Sequence, residues 1–291
     1  MKKIFIFFCF VLVTSSIYGQ FDADFVETSV LSIDAEQYGY IKMSRAGQRV
    51  KVKYFASKEG YNQTVYERFT EWSRNKNIIA ISSGTYMDSW NLAVAKPVGL
   101  CIDNGITVNR AIDLTRLDGL TVVYPSGGGG GVAVSNLKDG NLTVQGVSGQ
   151  LNLRNAFDLQ RFINWAETNK ATVFQSHLFV FKNQIILKPN LASTTQSERR
   201  FLAVGTNSDG QIFHYLINLT SANSIYEATE KVFRFLTKNE ELSVAFMINL
   251  EDGMQDTFRV YKSDEKFDTR KVFSGRTTLK EAANLLVYYF E

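Results

Sequence analysis

Residues 242–261, LSVAFMINLEDGMQDTFRVY, carry the reading of this chain. From Ser243 to Leu250 the run is almost unbroken apolar, interrupted by Asn249. A run that short, without helical periodicity, reads as a strand buried on both faces. It stops at Glu251-Asp-Gly253, and a second strand-like run follows over residues 257–261. A buried strand that delivers an Asn, two carboxylates and a Gly to its carboxyl end has the makings of a catalytic or ligand-binding edge. The plain alternative is a charged turn between two strands.

A second stretch has the same character. Asn77 to Ile81 reads as a buried strand that runs into Ser82-Ser-Gly-Thr-Tyr-Met-Asp-Ser-Trp-Asn91. Small residues at a strand end let the backbone approach a ligand closely. Asp88, Asn91 and Asp103 supply acceptors nearby. Asp103-Asn-Gly105 is a tight-turn triplet and predicts a hairpin.

The remaining pieces alternate between strands and helices. Residues 38–43 and 49–55 alternate in strand fashion, with Arg45-Ala-Gly-Gln48 as the turn between them; Val50, Val52 and Tyr54 share one face. Residues 63–74 place Val65, Phe69 and Trp72 at helical spacing. Residues 155–169 predict a helix with Phe157, Phe162 and Trp165 toward the core. Residues 224–238 predict another, with Ala228, Val232, Phe235 and Leu236 inward and a Ser/Asn cap before it. Thr278 opens a last predicted helix, LKEAANLLVYYF. Residues 178–187 read as a hairpin around Lys182-Asn183, residues 194–200 as a polar loop ending in two arginines, and residues 201–205 and 211–218 as strands. Gly127 to Gly131 form an unbroken glycine run, with no following helix and no Lys-Ser/Thr to make a P-loop, so it reads as a flexible loop.

The N-terminus, MKKIFIFFCFVLVTSSIYGQ, has two lysines, an apolar core too short to span a bilayer, and a small-polar end at Gly19. That is the layout of a secretory signal peptide over residues 1–19 and predicts export to the periplasm or beyond the cell. Cys101 is then the one cysteine left, so stability must come from a core. The net charge is +3, the hydrophobic share 45%, and no basic stripe is interleaved with aromatics, so nucleic acid is not an expected partner. His177 and His214 stand far apart without a cysteine partner, so no metal and no cofactor is expected. Neither a repeat nor a linker interrupts residues 20–291, which read as one domain.

The order of these pieces resembles the phosphodiester glycosidase family, over roughly residues 75–262. The residues that carry the likeness are Ile81-Ser-Ser-Gly-Thr-Tyr86, Pro97-Val-Gly99 with Asn104-Gly105, Arg200 to Gly205 with Asp209-Gly210, the helix 224–238, and Asn249-Leu-Glu-Asp-Gly253. This chain departs from the family pattern at several points. Ser82 stands for an Asn, Ser83 for a Gly, Glu251 is an extra residue, and Met254-Gln-Asp-Thr257 replaces a Gly-Gly-Ser-Ser tail. The arginine aligns only with a shift of one, so Arg199 and Arg200 are both candidates.

The resemblance and the residue pattern agree on a mixed α+β fold, a large and mostly antiparallel sheet with helices packed on it. The resemblance implies hydrolysis of a sugar-1-phosphodiester of the N-acetylglucosamine type in envelope or extracellular glycans. In that reading Asp252 is nucleophile or base, Asn249 orients the sugar, and Glu251 is the alternative carboxylate. Arg199 or Arg200 clamps phosphate through its planar fork. Ser82, Ser83, Gly84, Thr85, Tyr86, Asp88 and Gly253 complete the substrate-binding set. The competing reading is a non-catalytic glycan-binding or envelope-structural protein that kept the fold, favoured by the lost glycines. If the N-terminus acts as a leader, intact mass of the protein from its native host will fall short of the full chain by about 19 residues; a full-length species would rule out processing.

Overall fold

The computed structural model describes residues 25–290 apart from 34–35, 59–60, 90, 92–94, 125–130, 140–141, 190–193, 254 and 262–274. The expected leader and most of the glycine run lie outside the described residues. In chain order the first strands are β1 (Val26–Ile33), β2 (Glu36–Ser44), β3 (Val50–Ala56), β4 (Asn77–Ser82), β5 (Cys101–Asp103), β6 (Ile106–Asn109), β7 (Gly119–Val123) and β8 (Val132–Asn136). They are followed by β9 (Thr172–Ser176), β10 (Leu178–Phe181), β11 (Gln184–Ile185), β12 (Ser197–Thr206), β13 (Ile212–Asn223), β14 (Ser243–Asn249), β15 (Phe258–Val260) and β16 (Asn284–Phe290). The helices are α1 (Val65–Ser73), α2 (Ala156–Thr168) and α3 (Ile225–Lys238).

The architecture is mixed α+β with antiparallel strand pairing, and the expected large sheet is divided into three. One sheet runs β1-β2-β13-β12-β14-β10-β11, a second β15-β4-β16-β3, and a third β6-β5-β9-β7-β8. Period-2 alternation explains how the three share a core. Leu202, Leu216, Phe246 and Ile248 of the first sheet meet Val52, Tyr54, Leu286 and Tyr288 of the second and Cys101 and Phe174 of the third in one apolar cluster. The Tyr54 ring stacks on Phe174 with centroids 4.8 Å apart, joining the second sheet to the third.

The opposite face of each sheet carries one helix. Ala228, Val232, Phe235 and Leu236 of α3 bury against Phe201, Tyr215 and Met247. Val65 and Phe69 of α1 bury against Phe55, Leu285 and Val287, and Phe162, Ile163 and Ala166 of α2 against Ile102, Leu120 and Val173. Reciprocal capping boxes start α1 (Thr64 with Glu67) and α3 (Ser224 with Glu227), while the Asn155 side chain caps α2.

The tight turns follow their sequences: Asn104 and Gly105 take φ of 51° and 78°, and Lys182 and Asn183 take 49° and 61°. These left-handed pairs close the β5–β6 and β10–β11 hairpins.

Four expectations are corrected. The last predicted helix is a strand: Thr278 and Glu281 do form a capping box, but they close a single 3-10 turn, and Ala282 leaves it extended at ψ 127°. In β16 Leu286, Tyr288 and Phe290 point into the central core while Leu285 and Val287 face α1, a period of two that a helix could not satisfy. β16 also sits between β4 and β3, so both of its backbone edges are paired. Phe157 is 72% exposed, not a core residue, because it lies half a turn out of phase with the buried Ala166. Ser197, Arg199 and Arg200 belong to β12 and not to a loop. The Arg45 turn does not join neighbouring strands but carries the chain from the first sheet to the second.

The strand at the heart of the opening stretch is covered on both faces after its first three residues, in which Ser243 and Ala245 are exposed. A register shift at Val204/Gly205 turns Val244 toward α3, whereas Phe246 and Ile248 point to the central core. Phe246→Ala should therefore cost about 3–5 kcal/mol of unfolding free energy, the usual range for a buried aromatic. A loss under about 1 kcal/mol in denaturant titration would contradict this placement.

Candidate functional site

β4 and β14 belong to different sheets, yet their carboxyl ends meet. The turn after β4 and the segment after β14 are laced together: Glu251 N donates to Gly84 O (3.0 Å), Ser83 N to Thr257 O (2.8 Å), and Thr257 N to Ser83 Oγ (2.8 Å). The Ser83 hydroxyl also donates to the Gln255 carbonyl. Gly84 has to be glycine, since a Cβ there would lie 2.7 Å from the Tyr54 ring and 3.2 Å from Asn284 Oδ1. Asn284 fixes this turn from β16, accepting from Gly84 N (2.6 Å) and donating to Thr85 O (3.1 Å), and Thr85 Oγ1 donates to Gln175 O (2.7 Å). Ser82, Ser83 and Thr85 are fully buried with their hydroxyls donated to carbonyls. They form the floor of the junction.

Below this floor lies a buried ion pair. Arg200 Nη2 is 2.8 Å from Asp256 Oδ1, with both side chains 2% exposed. The guanidinium also donates to Asn218 Oδ1 (3.2 Å), Glu251 O (3.2 Å) and Thr257 O (3.4 Å), and it lies over the Phe258 ring. Asp256 Oδ2 accepts in turn from Arg276 N (3.0 Å). Such a pair overcomes its desolvation only when its remaining donors and acceptors are met, and here most of them are. The fork of Arg200 is thus committed to the protein.

The two adjacent carboxylates differ sharply. Glu251 is buried, and its Oε1 accepts from Gly253 N (2.7 Å), closing its own turn. Burial raises its pKa, and backbone N–H groups of Gly253, Met87 and Gln255 oppose the rise. Asp252 is half-buried, and its Oδ2 has no partner. Desolvation pushes its carboxyl up to about 7, against the pull of Arg200 and Arg199 and with a further push from Glu251 and Asp256.

Asn249 and Arg199 face the other side of the junction. Asn249 N donates to His177 O (3.0 Å) and its Nδ2 to the Tyr86 hydroxyl, while its Oδ1 is buried without a partner. Arg199, one residue from Arg200 and so on the opposite face of β12, donates from Nη2 to Thr195 O (2.9 Å); its Nε is buried and unpartnered. Tyr86 joins the group: burial and the charge of Asp252 raise its phenol pKa, and Arg199 lowers it. The His177 ring lies edge-on to Tyr86 and stacked on Phe179, and burial lowers its pKa, keeping it neutral at pH 7.

Three buried polar atoms without partners thus belong to residues that bond Tyr86 or act on its charge: a guanidinium donor of Arg199, the amide oxygen of Asn249 and a carboxyl oxygen of Asp252. Native interiors seldom leave such groups unpaired except where function uses them. Of the residues singled out in the sequence, Asn249, Glu251, Asp252, Gly253, Ser82, Ser83, Gly84, Thr85, Tyr86 and both arginines meet at this junction. Asp88 does not. It is exposed, accepts from Lys96 N (2.8 Å), and lines an open groove of about 460 Å³ with Lys58, Lys96 and Arg110.

The sequence reading left out Asn218, Gln175 and Asn284 and set His177 aside as an ordinary strand residue, yet all four hold or border this junction. Each is a polar residue inside or beside an apolar strand, the one signal that could have singled it out. Among the described residues no group of three or more His, Cys, Asp or Glu side chains is placed to hold a metal ion.

No family model matches the chain, and no curated protein matches it. Solved structures do. The catalytic domain of zebrafish N-acetylglucosamine-1-phosphodiester alpha-N-acetylglucosaminidase, auto-inhibited by its pro-peptide, aligns over 91% of this chain and 82% of its own, at 11% identity and a TM-score of 0.49. A hypothetical protein from Synechocystis aligns over 91% of this chain and 62% of its own, at 9% identity and a TM-score of 0.48.

The position of Asp252 has a measurable consequence. Its folded pKa, about 7, lies above the unfolded value near 4, so the native state binds the extra proton and loses stability as pH rises between the two. Asp252→Asn removes that term. The melting temperature of the variant relative to the parent should climb as pH is raised from about 4 to about 8. A difference that stays flat across this window would place Asp252 in ordinary solvent.

Proposed function

We propose that this chain is an exported hydrolase of sugar-1-phosphodiesters, of the N-acetylglucosamine type, acting on envelope or extracellular glycans through the junction of β4 and β14. The observation that carries the reading is the set of Arg199 Nε, Asn249 Oδ1 and Asp252 Oδ2, each buried and unpartnered, on residues that all bond Tyr86 or shift its charge. These are the donor and acceptor types that a phosphorylated sugar would engage. A guanidinium meets phosphate oxygens in a charge-assisted fork, and an amide oxygen accepts from a sugar hydroxyl or acetamido N–H. A carboxyl group titrating near 7 is matched to proton transfer at neutral pH.

In this mechanism the ionised Asp252 takes a proton from a water whose oxygen bonds to the anomeric carbon as the C1–O bond to phosphate breaks, or Asp252 displaces the phosphate itself and water then hydrolyses the glycosyl-aspartate; Arg199 balances the charge of the departing phosphate. The negative charge of Asp252 also favours the positive charge that develops at the sugar ring. Arg200 does not contact substrate; it holds the floor through Asp256. Export rests on the N-terminal sequence. Among the described residues no helix is long and apolar enough to cross a membrane.

A second reading has its own support. Glycoside hydrolysis ordinarily uses two carboxyl groups, and here Glu251 is tied to its own turn and Asp256 to Arg200. With Asp252 alone unpartnered, the same junction would serve a non-catalytic glycan-binding or envelope-structural protein.

Turnover of a labelled sugar-1-phosphodiester panel separates the two. The hydrolase reading expects kcat/KM to rise with pH through about 7 and to vanish in Asp252→Asn with glycan binding kept. It also expects Arg199→Gln to weaken phosphate-bearing ligands at least about tenfold more than neutral sugars. Glycan binding by the parent without cleavage of any phosphodiester would leave the binding protein, and full turnover in Asp252→Asn would remove Asp252 from the chemistry.

A further inference from the structure

The segment that carries Tyr86 runs on into an open groove at the surface. Met87 and Pro97 form an antiparallel bridge, flanked by Val98 N donating to Tyr86 O (2.8 Å) and Asp88 N donating to Lys96 O (3.0 Å). Lys96 N donates in turn to Asp88 Oδ1 (2.8 Å). Asn109 ties the end of β6 to this short ladder, donating from Nδ2 to Pro97 O (2.8 Å) while its Oδ1 accepts from Ala111 N (2.9 Å). Both pieces, with Ser57 and Lys58 just after β3, line the groove of about 460 Å³. Its walls are therefore held by hydrogen bonds, and Asp88, Lys96 and Arg110 stand exposed on them.

The groove is cationic. Lys58, Lys96 and Arg110 line it against the single carboxylate of Asp88, which already accepts from the backbone of Lys96. Among the described residues neither Lys58 nor Arg110 is ion-paired with a carboxylate. Arg110 Nη2 donates to the neutral Gln160 Oε1 of α2 (2.5 Å), and Lys58 Nζ lies 5.8 Å from the centroid of the Tyr61 ring. Like charges gathered around one concavity draw anions into it. Its volume falls in the range of ligand sites. Val108 is the one apolar residue among those that line it. Peptides are gripped through apolar or aromatic anchors in buried pockets, and this lining offers none. A hydroxyl-rich chain with spaced anionic groups needs no such anchor.

We infer that this groove binds an anionic oligosaccharide, whose carboxylate or phosphate groups meet Lys58, Lys96 and Arg110. The two ammonium groups act as point charges, and the guanidinium offers a planar fork to two oxygens of one anionic group. Asp88 follows Tyr86 by two residues, so their Cα atoms lie within roughly 7 Å of each other and the groove begins close to the junction. The choice of a saccharide rests in part on the proposed function, whereas the preference for negative charge rests on the groove alone.

The test is a calorimetric titration of the full chain with tetragalacturonate, a tetrasaccharide carrying the same charge on phosphates, neutral cellotetraose and tetraglutamate. The parent should bind at least one anionic tetrasaccharide at least about tenfold tighter than cellotetraose or tetraglutamate, with an affinity that falls as salt is added. Lys58→Gln combined with Arg110→Gln should weaken that binding at least about tenfold. Asp88→Asn should strengthen it, since the amide oxygen still accepts from Lys96 N while the one negative charge of the lining is gone. Binding of tetragalacturonate alone assigns uronate chains, and binding of the other anionic tetrasaccharide alone assigns phosphorylated ones. Equal affinity for cellotetraose or tetraglutamate overturns the proposal, as does unchanged affinity in the double variant. Turnover of a small sugar-1-phosphodiester, measured alongside, should be the same in the double variant as in the parent. Anionic binding without turnover in the parent removes the hydrolase and keeps the groove, and turnover without anionic binding removes the groove alone.

Discussion

The fold around the junction depends on one buried ion pair. Arg200 stands on the seven-stranded sheet, and Asp256 precedes the edge strand of the four-stranded sheet, so their 2.8 Å contact ties two layers together. Around it Arg200 also holds the carbonyls of Glu251 and Thr257, which fixes the path of the whole segment between β14 and β15. A pair with this little solvent exposure is neutral at best against apolar packing, but removing either partner strands a charge at a cost of about 3–5 kcal/mol. Its value lies in the geometry it imposes, because the segment it holds carries Glu251 and Asp252.

Adjacent carboxylates then diverge for a local reason. Glu251 turns back on its own chain and finds the amide of Gly253, so its charge is met by the backbone. Asp252 emerges half-buried with an unpartnered oxygen, and desolvation lifts its pKa to about 7. The arginines show the same divergence. Strand alternation sends Arg200 into the interior beside Asp256 and Arg199 to the opposite face, where its Nε stays unpartnered. In both cases neighbours of the same residue type are separated by what the backbone offers each of them.

Arg45 and Arg200 form the instructive contrast. Both are almost wholly buried, yet one meets a carboxylate, an amide oxygen and two carbonyls, and the other meets the edge of a glycine and the neighbourhood of two phenols. Equal burial thus comes with unequal compensation.

Local chemistry made much of this fold legible from the sequence. The helices over residues 63–74, 155–169 and 224–238, the Asn104-Gly105 and Lys182-Asn183 turns and the strand from Ser243 followed from apolar period, the cap before residue 224 and left-handed turn residues. Asn249 and Asp252 stood out because polar groups at the end of a buried strand are unusual, and the Ser-Ser-Gly turn because its residues are small. What the sequence could not carry was partner identity. The stretch after Thr278 read as a helix, but β16 became a strand because β3 and β4 pair both its edges and two cores need alternate side chains. Phe157 carried an apolar label and faced solvent because helical phase, not composition, sets burial. Arg45 and Arg200 looked alike as exposed-type residues in a turn and a loop. Which one receives a carboxylate depends on contacts across more than fifty residues of chain, and only the tertiary structure decides those.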